Sequence, residues 1–148
     1  MKPSLVRIGG DSLEPCLEFL KAREHRAISL ASNLAPGGKL RPTGPGISDC
    51  FALSGDGSGA IDGLILLTSA GILLHCLDEG AESCADLVSR RLAPARVRCI
   101  LGAEPGTGFL EGIVGSRARK RIDYRLMTLT SRARDTGGVV FESRAAEG

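Results

Sequence analysis

Aromatic residues are scarce in this sequence, which has no tryptophan, one tyrosine and four phenylalanines among 148 residues. Because proteins that bind single-stranded nucleic acid stack the bases on aromatic side chains, this composition disfavours nucleic acid as a partner. No apolar run approaches the ~20 residues that a membrane-spanning helix needs, so we expect no membrane partner. The amino-terminal sequence MKPSLVRIGG also lacks the apolar core of a signal peptide.

Paired cysteines of the C-x-x-C type are absent, and the total of five cysteines is odd. Without a signal peptide, this cysteine usage predicts reduced thiols and a cytoplasmic location. His75, Cys76 and Cys84 are close in sequence, but a structural zinc site needs four ligands, usually in closely spaced pairs. Since a free thiol packs as a small apolar side chain, we interpret these cysteines as core residues and predict no metal site.

Charge is nearly balanced overall, with 19 basic and 17 acidic residues and a net charge of +2. Basic residues are nevertheless concentrated between Arg117 and Arg134, where the nearby acidic residues are Asp123 and Asp135. Such a strip either attracts phosphate and nucleic acid or is simply a solvated face. We favour the solvated face, and a small phosphate- or nucleic-acid-binding module is the less favoured alternative.

The hydrophobic pattern predicts a mixed order of strands and helices. KAREHR marks either a break in the first helical region or its solvated face, and GDGSG and Ser69-Ala70 are turns of an antiparallel meander. We therefore predict an α/β (α+β) domain whose mostly antiparallel sheet has six to seven strands and helices on both faces. The predicted elements are a strand over 4–8, a helical region over 13–34, strands over 49–54, 60–68 and 71–77, a helix over 81–92, a strand over 97–101, a helix over 109–116, and strands over 122–130 and 139–142.

This order, with the helical opening FLKAREHRAISLASNL and the closing strand DYRLMTL, resembles the GNAT-type N-acetyltransferase fold. It is most similar to the amino-terminal halves of bacterial proteins that carry tandem or partial acetyltransferase-like domains. The resemblance implies a GNAT-like domain over residues 1–130. A last strand and a polar tail or linker would follow over 131–148, because SRAAEG is typical of a linker that leads to a further domain.

The resemblance also implies where acetyl-CoA would bind, namely where the fourth strand runs into the central helix. The family has a Q/R-x-x-G-x-G/A loop there, whose backbone N–H groups face the pyrophosphate. The matching stretch here is LDEGAES, with one glycine and the carboxylates Asp78, Glu79 and Glu82. Since like charges repel at close range, we assign no cofactor-binding residue and expect no cofactor.

We therefore interpret the chain as a non-catalytic acetyltransferase-like domain. It would be the regulatory, substrate-shaping or dimerisation half of a larger GNAT-type protein, with a further domain or a second copy as its partner. The alternative is an active N-acetyltransferase with a divergent acetyl-CoA loop.

Other candidate features are weaker. We interpret the sequence over 55–59 as a hairpin turn, because no lysine or helix follows it. The glycine-rich loop over 102–108 has the strand–loop–helix context of a phosphate site, although Glu104 opposes it. His25 is expected to be solvated, His75 to be a satisfied core or sheet-edge residue, and Tyr124 to serve packing. No catalytic residue is assigned.

Overall fold

The structure is a computed structural model. It describes residues 2–9, 13–34, 46–115, 121–125 and 142–146. The chain divides into two compact units, Met1–Ser116 and Arg117–Gly148.

Within its described residues, the first unit combines a five-stranded sheet with four α-helices and one 3₁₀ helix. The strands lie side by side in chain order, and all neighbours are antiparallel except the last pair, which is parallel. The predicted mixed α+β class with a mostly antiparallel sheet is therefore confirmed. The elements are β1 (Ser4–Arg7), α1 (Leu13–Ala22), α2 (Glu24–Leu34), β2 (Ile47–Ser54), β3 (Gly63–Thr68), β4 (Ile72–Leu77), the 3₁₀ helix (Glu79–Cys84), α3 (Ala85–Leu92), β5 (Cys99–Leu101) and α4 (Gly106–Val114).

The polar sequence KAREHR breaks the first helical region into two helices. α1 ends at Ala22 and α2 begins at Glu24, with Arg23 between them. The Arg23 N–H donates to the Leu20 carbonyl at 3.1 Å, while the Arg23 carbonyl accepts from the Ala27 N–H at 3.0 Å. Arg23 thus lies at the corner where α1 ends and α2 begins, and its side chain extends from this corner.

Strands β2, β3 and β4 form the predicted antiparallel meander, with Cys50 opposite Leu66 and Leu66 opposite Leu74. In the first connection the Asp56 carboxylate accepts from the Ser58 N–H at 2.8 Å. Gly57 has a φ of +71°, a left-handed conformation that favours glycine. The interpretation of this segment as a turn between strands is therefore confirmed.

Alternate residues of the central strands belong to two different core clusters, because successive side chains of a strand point to opposite faces. In β3, Leu64 and Leu66 pack with α1 and α2, through residues such as Phe19 and Leu30. Ile65 and Leu67 pack instead with residues of α3 and α4 such as Val88 and Leu110. Successive residues of β3 are therefore buried in different clusters, which explains why β3 is apolar at nearly every position.

The parallel pair β4–β5 is short. Ile72, Leu73 and Leu74 pair with Cys99, Ile100 and Leu101, whereas β4 continues to Leu77. After this short pairing, the chain that follows β5 leaves the sheet and enters α4. This helix begins at Gly106, earlier than the predicted Phe109. The helix ends at Val114, before Gly115 with its left-handed φ of +66°. On the side away from β3, the carboxyl end of β4 therefore lies near α4 rather than beside β5.

In the second unit, β6 (Arg121–Arg125) pairs antiparallel with β7 (Glu142–Ala146), with Arg121 opposite Ala146. β6 overlaps the predicted strand over 122–130. β7 begins at the last residue of the predicted strand over 139–142 and runs into residues predicted as a polar tail. Residues 126–141 lie outside the described part of the chain.

Candidate functional site

A cavity of about 460 Å³ lies at the carboxyl end of β4. Its volume is within the range usual for small-molecule sites, which makes it the candidate site of this domain. We call it the β4 cavity. Its lining residues come from α2, the end of β4, the 3₁₀ helix and α4, and they are Arg26, Leu77, Asp78, Glu79, Gly80, Ala81, Glu82, Pro105, Gly106 and Phe109.

Asp78, directly after β4, is held by two arginines from the corner between α1 and α2. The Arg23 Nε lies 3.0 Å from each carboxylate oxygen, and the Arg23 Nη2 also donates to Oδ2. The Arg26 Nη2 donates to Oδ1 at 2.9 Å. These hydrogen bonds, with that to Arg23 the strongest influence, hold the pKa of Asp78 below its ordinary value. We call Arg23, Arg26 and Asp78 the arginine clamp.

Arg23 is also positioned by contacts that do not involve Asp78. Its Nη1 donates to the Phe19 carbonyl at 3.1 Å, and its guanidinium carbon lies 3.8 Å from the centre of the Phe19 ring. Both contacts are within α1 and its carboxyl-terminal corner. Contacts with Phe19 of α1 therefore help to position the guanidinium group that binds Asp78.

Sequence reasoning treated Asp78 as an unpaired carboxylate and missed both arginines. The sequence separation of 55 residues between Arg23 and Asp78 hides the pairing from any local pattern. The available signal for this pairing was the presence of two arginines three positions apart at a helix break, because side chains at that spacing can both reach one anion. KAREHR was instead interpreted only as a break or a solvated face.

Glu79 and Glu82 remain exposed carboxylates at the cavity, and within the described residues neither has a hydrogen bond or an ion pair. They lie three positions apart in the 3₁₀ helix, and positions i and i+3 of such a helix share one side. Together with the arginine clamp they give two guanidinium groups and three carboxylates, a net charge of −1. The charged groups around the cavity thus favour a cation over an anion.

The 3₁₀ helix is also packed closely against the turn after β2. A Cβ added to Gly55 would lie 2.1 Å from the Gly80 carbonyl oxygen, so the two backbones touch. The Asp62 carboxylate accepts from the Gly55 N–H at 2.6 Å and lies beside Gly80. The glycine at position 55 therefore serves this close approach.

The glycine-rich loop over 102–108 packs around His75 of β4. A Cβ added to Gly102 would lie 2.2 Å from the His75 Nε2, and one added to Gly106 would lie 2.9 Å from Nδ1. The Glu104 carboxylate accepts from the Gly108 N–H at 3.2 Å, at the amino-terminal end of α4. Because Gly102 and Gly106 have no side chain, the imidazole ring of His75 can pack against them. The Gly108 N–H, which a phosphate would need as a donor, already donates to the Glu104 carboxylate.

Hydrogen bonding defines the protonation of His75. Its Nε2 lies 2.8 Å from the Thr107 Oγ1, and that hydroxyl donates to the Gly102 carbonyl at 3.2 Å. Since the hydroxyl has one proton to donate, it accepts from Nε2–H, and Nδ1 carries the lone pair. Burial lowers the pKa of His75 to about 4, against an opposing influence of Glu104, so the ring is neutral at pH 7.

The prediction of a satisfied core histidine is thus correct in part. His75 is 2% exposed, but its Nδ1 has no hydrogen-bond partner within the described residues. Nδ1 faces Gly106, which is also a lining residue of the β4 cavity. A buried acceptor therefore lies directly against the residue that forms part of the cavity wall.

The remaining candidate residues are not brought to the β4 cavity. His25 is exposed on α2, as predicted, and the side chain of Tyr124 lies outside the described part of the structure. Cys76 and Cys84 belong to different core clusters, on opposite faces of the sheet. Within the described ranges no three metal-ligating side chains come together, and burial raises the pKa of Cys50 to about 12.

In the described part of the chain, no helix combines the length and apolar character needed to cross a membrane. Comparison of the sequence and structure with protein-family models, curated proteins and solved structures finds no match.

Proposed function

We propose that this chain is a non-catalytic acetyltransferase-like domain that serves as the regulatory, substrate-shaping or dimerisation half of a larger protein. The element order supports this assignment, because two helices follow β1, and a three-stranded antiparallel meander precedes the central helix α3. Helices on both faces of the sheet support it further. The partner is a further domain of the same protein or a second copy.

The arginine clamp is the observation that carries the non-catalytic part of this proposal. In the family that the sequence resembles, the turn after the fourth strand presents backbone N–H groups to a pyrophosphate. Here that turn begins with Asp78, whose carboxylate already engages both nearby guanidinium groups. A pyrophosphate would lack those cations and would meet Glu79 and Glu82, so its binding is opposed electrostatically.

The positions of the two histidines also support this proposal. A general base must lie within hydrogen-bond reach of the reacting proton and have a suitable pKa. His75 is 2% exposed, with a pKa lowered to about 4, and His25 lies on the exposed surface of α2. Neither histidine lines the β4 cavity.

The alternative is an active N-acetyltransferase with a divergent acetyl-CoA loop. One observation favours it, namely that a cavity of about 460 Å³ is present at the end of β4, with apolar walls at Leu77, Pro105 and Phe109. Under this alternative, the acyl chain of acetyl-CoA packs against those apolar walls and its phosphates lie outside the cavity.

Calorimetric titration of the full chain with acetyl-CoA separates the two functions. The proposal predicts no binding at physiological cofactor concentration, and no release of free coenzyme A when amines are added. A micromolar dissociation constant would overturn it and support the alternative. Asp78→Asn is the informative variant, because it removes a negative charge and frees Arg23 and Arg26. A gain of acetyl-CoA binding in this variant would identify the clamp as the cause of exclusion.

A further inference from the structure

Helix α4 and the loop before it cover His75 of β4. The imidazole ring packs against Gly102 and Gly106, and its Nε2–H donates to the Thr107 Oγ1 at 2.8 Å. That hydroxyl donates in turn to the Gly102 carbonyl at 3.2 Å. Residues 102–114, which we call the α4 arm, thus close over a histidine that is 2% exposed.

The α4 arm has few buried anchors. Residues 102–105 are exposed, and within α4 Gly106 and Leu110 are buried, whereas the other apolar residues of the helix are half-buried. β5, which leads into the arm, pairs with β4 over three residues. Segments with few buried contacts open locally at a lower free energy than the whole domain unfolds. The contact between His75 and Thr107 is therefore a substantial part of what holds the arm against β4.

The closed arrangement suits the neutral form of His75. With Nε2–H donating to Thr107, Nδ1 carries a lone pair, and this buried nitrogen has no hydrogen-bond partner within the described residues. Protonation would place a second N–H there, directly against the Gly106 backbone, on a buried cation. A buried charge without a partner is unfavourable, whereas an imidazolium exposed to water is well solvated. Protonation therefore favours an open arm.

The groups around His75 offer little compensation for a positive charge. β3 places Ile65 opposite His75, and the buried residues of α3 and α4 on this face of the sheet are apolar. Within the described residues, Glu104 of the arm is the charged group that acts on the pKa of His75, and its carboxylate accepts from the Gly108 N–H. Burial outweighs this carboxylate and lowers the pKa of His75 to about 4.

We propose that His75 is a pH-sensitive latch for the α4 arm, which is closed while the ring is neutral and opens locally when the ring is protonated. Opening exposes His75 and removes Pro105, Gly106 and Phe109 from the wall of the β4 cavity. A fall in pH therefore takes apart one wall of the cavity while the sheet stays folded. The inference is independent of the proposed function, since it concerns the wall and not what the cavity holds.

Amide hydrogen exchange of the full chain, followed by NMR at pH 7 and pH 5 and corrected for intrinsic exchange rates, tests the latch. Burial lowers the pKa of His75 from 6.5 to about 4, so the open form binds more protons as the pH falls. The protection of the amides over 109–114 should therefore decrease by about twentyfold between these pH values. At both pH values these amides should be less protected than those over 64–67 of β3. Equal protection of the two sets would overturn the inference, because the arm would then open only when the whole domain unfolds.

Variants of the two histidines identify the titrating group. His75→Gln keeps a side chain that can donate to Thr107 but does not titrate, so the protection of the α4 arm should no longer depend on pH in this range. His25→Gln is the matched control, because His25 is exposed on α2, and it should retain the full pH dependence. A pH dependence that persists in His75→Gln, or that disappears in His25→Gln, would contradict the assignment to His75.

A second pair of variants tests the hydrogen bond with His75 unchanged, and it decides the question if His75→Gln does not fold. Thr107→Val removes the hydroxyl that accepts from Nε2–H. It should lower the protection of the α4 arm at pH 7 by about fivefold, as expected for one lost hydrogen bond. Thr107→Ser retains the hydroxyl and should stay close to the natural chain. Equal protection in these two variants would show that the hydrogen bond does not hold the arm, and would overturn the inference.

Discussion

The Nε of Arg23 lies 3.0 Å from both oxygens of the Asp78 carboxylate, so one guanidinium group spans the whole carboxylate edge. The pair joins the corner between α1 and α2 to the end of β4. It is partly buried, with the side chains 24% and 28% exposed. A contact of this kind stabilises the fold and also determines the charge at the cavity.

Loss of this pair should lower the free energy of unfolding. We expect about 1–2 kcal/mol for Asp78→Ala, because it removes charge-assisted hydrogen bonds that are only partly screened by water. Urea denaturation measures the change, and Glu18→Ala, an exposed carboxylate on α1, is the control. In a double-mutant cycle with Arg23→Ala, the two effects should be less than additive. Strict additivity would show that the pair contributes no coupling energy.

Acidification should destabilise the domain through His75. Its pKa is lowered to about 4 in the folded state, below the ordinary value of 6.5, so the unfolded chain binds more protons between those values. Stability is therefore full above about pH 6.5 and falls as the pH decreases towards 4, by at most about 3 kcal/mol. His75→Gln should flatten this part of the curve measured by urea denaturation. An unchanged slope in the variant would contradict the assignment to His75.

Below that range, Asp78 contributes a further loss. Because its pKa is lowered in the folded state, its stabilising effect is present above the ordinary carboxyl pKa and is lost as the pH falls through the folded value. Arg23, whose pKa is raised by its hydrogen bond to Asp78, stays charged throughout this range. Over the pH range in which the carboxyl group becomes protonated, the Asp78→Asn variant should therefore lose less stability than the natural chain.

Gly102→Ala should be clearly destabilising. The added Cβ would lie 2.2 Å from Nε2 of His75 and 2.5 Å from two carbons of the same ring, which is buried and cannot move away freely. Overpacking of this kind costs about 1–3 kcal/mol. Gly112→Ala in α4 is the matched control, because its Cβ would have no neighbour within 4 Å. That control should instead gain up to about 1 kcal/mol, as expected for alanine in a helix. Thermal unfolding would compare both variants, and equal effects would contradict the packing argument.

We expect the basic strip between Arg117 and Arg134 to be ordinary surface or to meet acidic groups of a partner domain. Short duplex and single-stranded oligonucleotides should show no retardation in a low-salt mobility-shift assay. Retardation at low micromolar protein, abolished by Arg117→Ala with Arg121→Ala, would instead support the nucleic-acid alternative. Such binding would fall steeply with salt, since each neutralised phosphate of duplex DNA releases about 0.9 counterion.

Local sequence features predicted most of the elements of the first unit. The break near Arg23, the two turns of the meander and the apolar central strands all depend on residues close together in the chain, so periodicity and turn chemistry reveal them. The bounds were less accurate where tertiary contacts decide them. α4 begins three residues before the predicted Phe109, at Gly106, and this residue packs against His75 of β4.

The site itself could be predicted only in part. The stretch over 77–83 was correctly placed at the end of β4, because the apolar run over 71–77 and the helical pattern after it are local features. Its electrostatics could not be predicted, because Arg23 and Arg26 reach Asp78 only after two helices pack on the sheet. The unsatisfied Nδ1 of His75 likewise depends on Thr107, a residue 32 positions away.

The alternation of the central strands between the two core clusters has an evolutionary consequence. In β3, Leu64 and Leu66 contribute to the cluster with α1 and α2, whereas Ile65 contributes to the cluster with α3 and α4. Substitutions at neighbouring positions of one strand are therefore felt by different helices, with the sheet between them. Core substitutions in the pair α1–α2 and in the pair α3–α4 can accordingly accumulate independently, except at the β4 cavity, which residues of α2 and α4 both line.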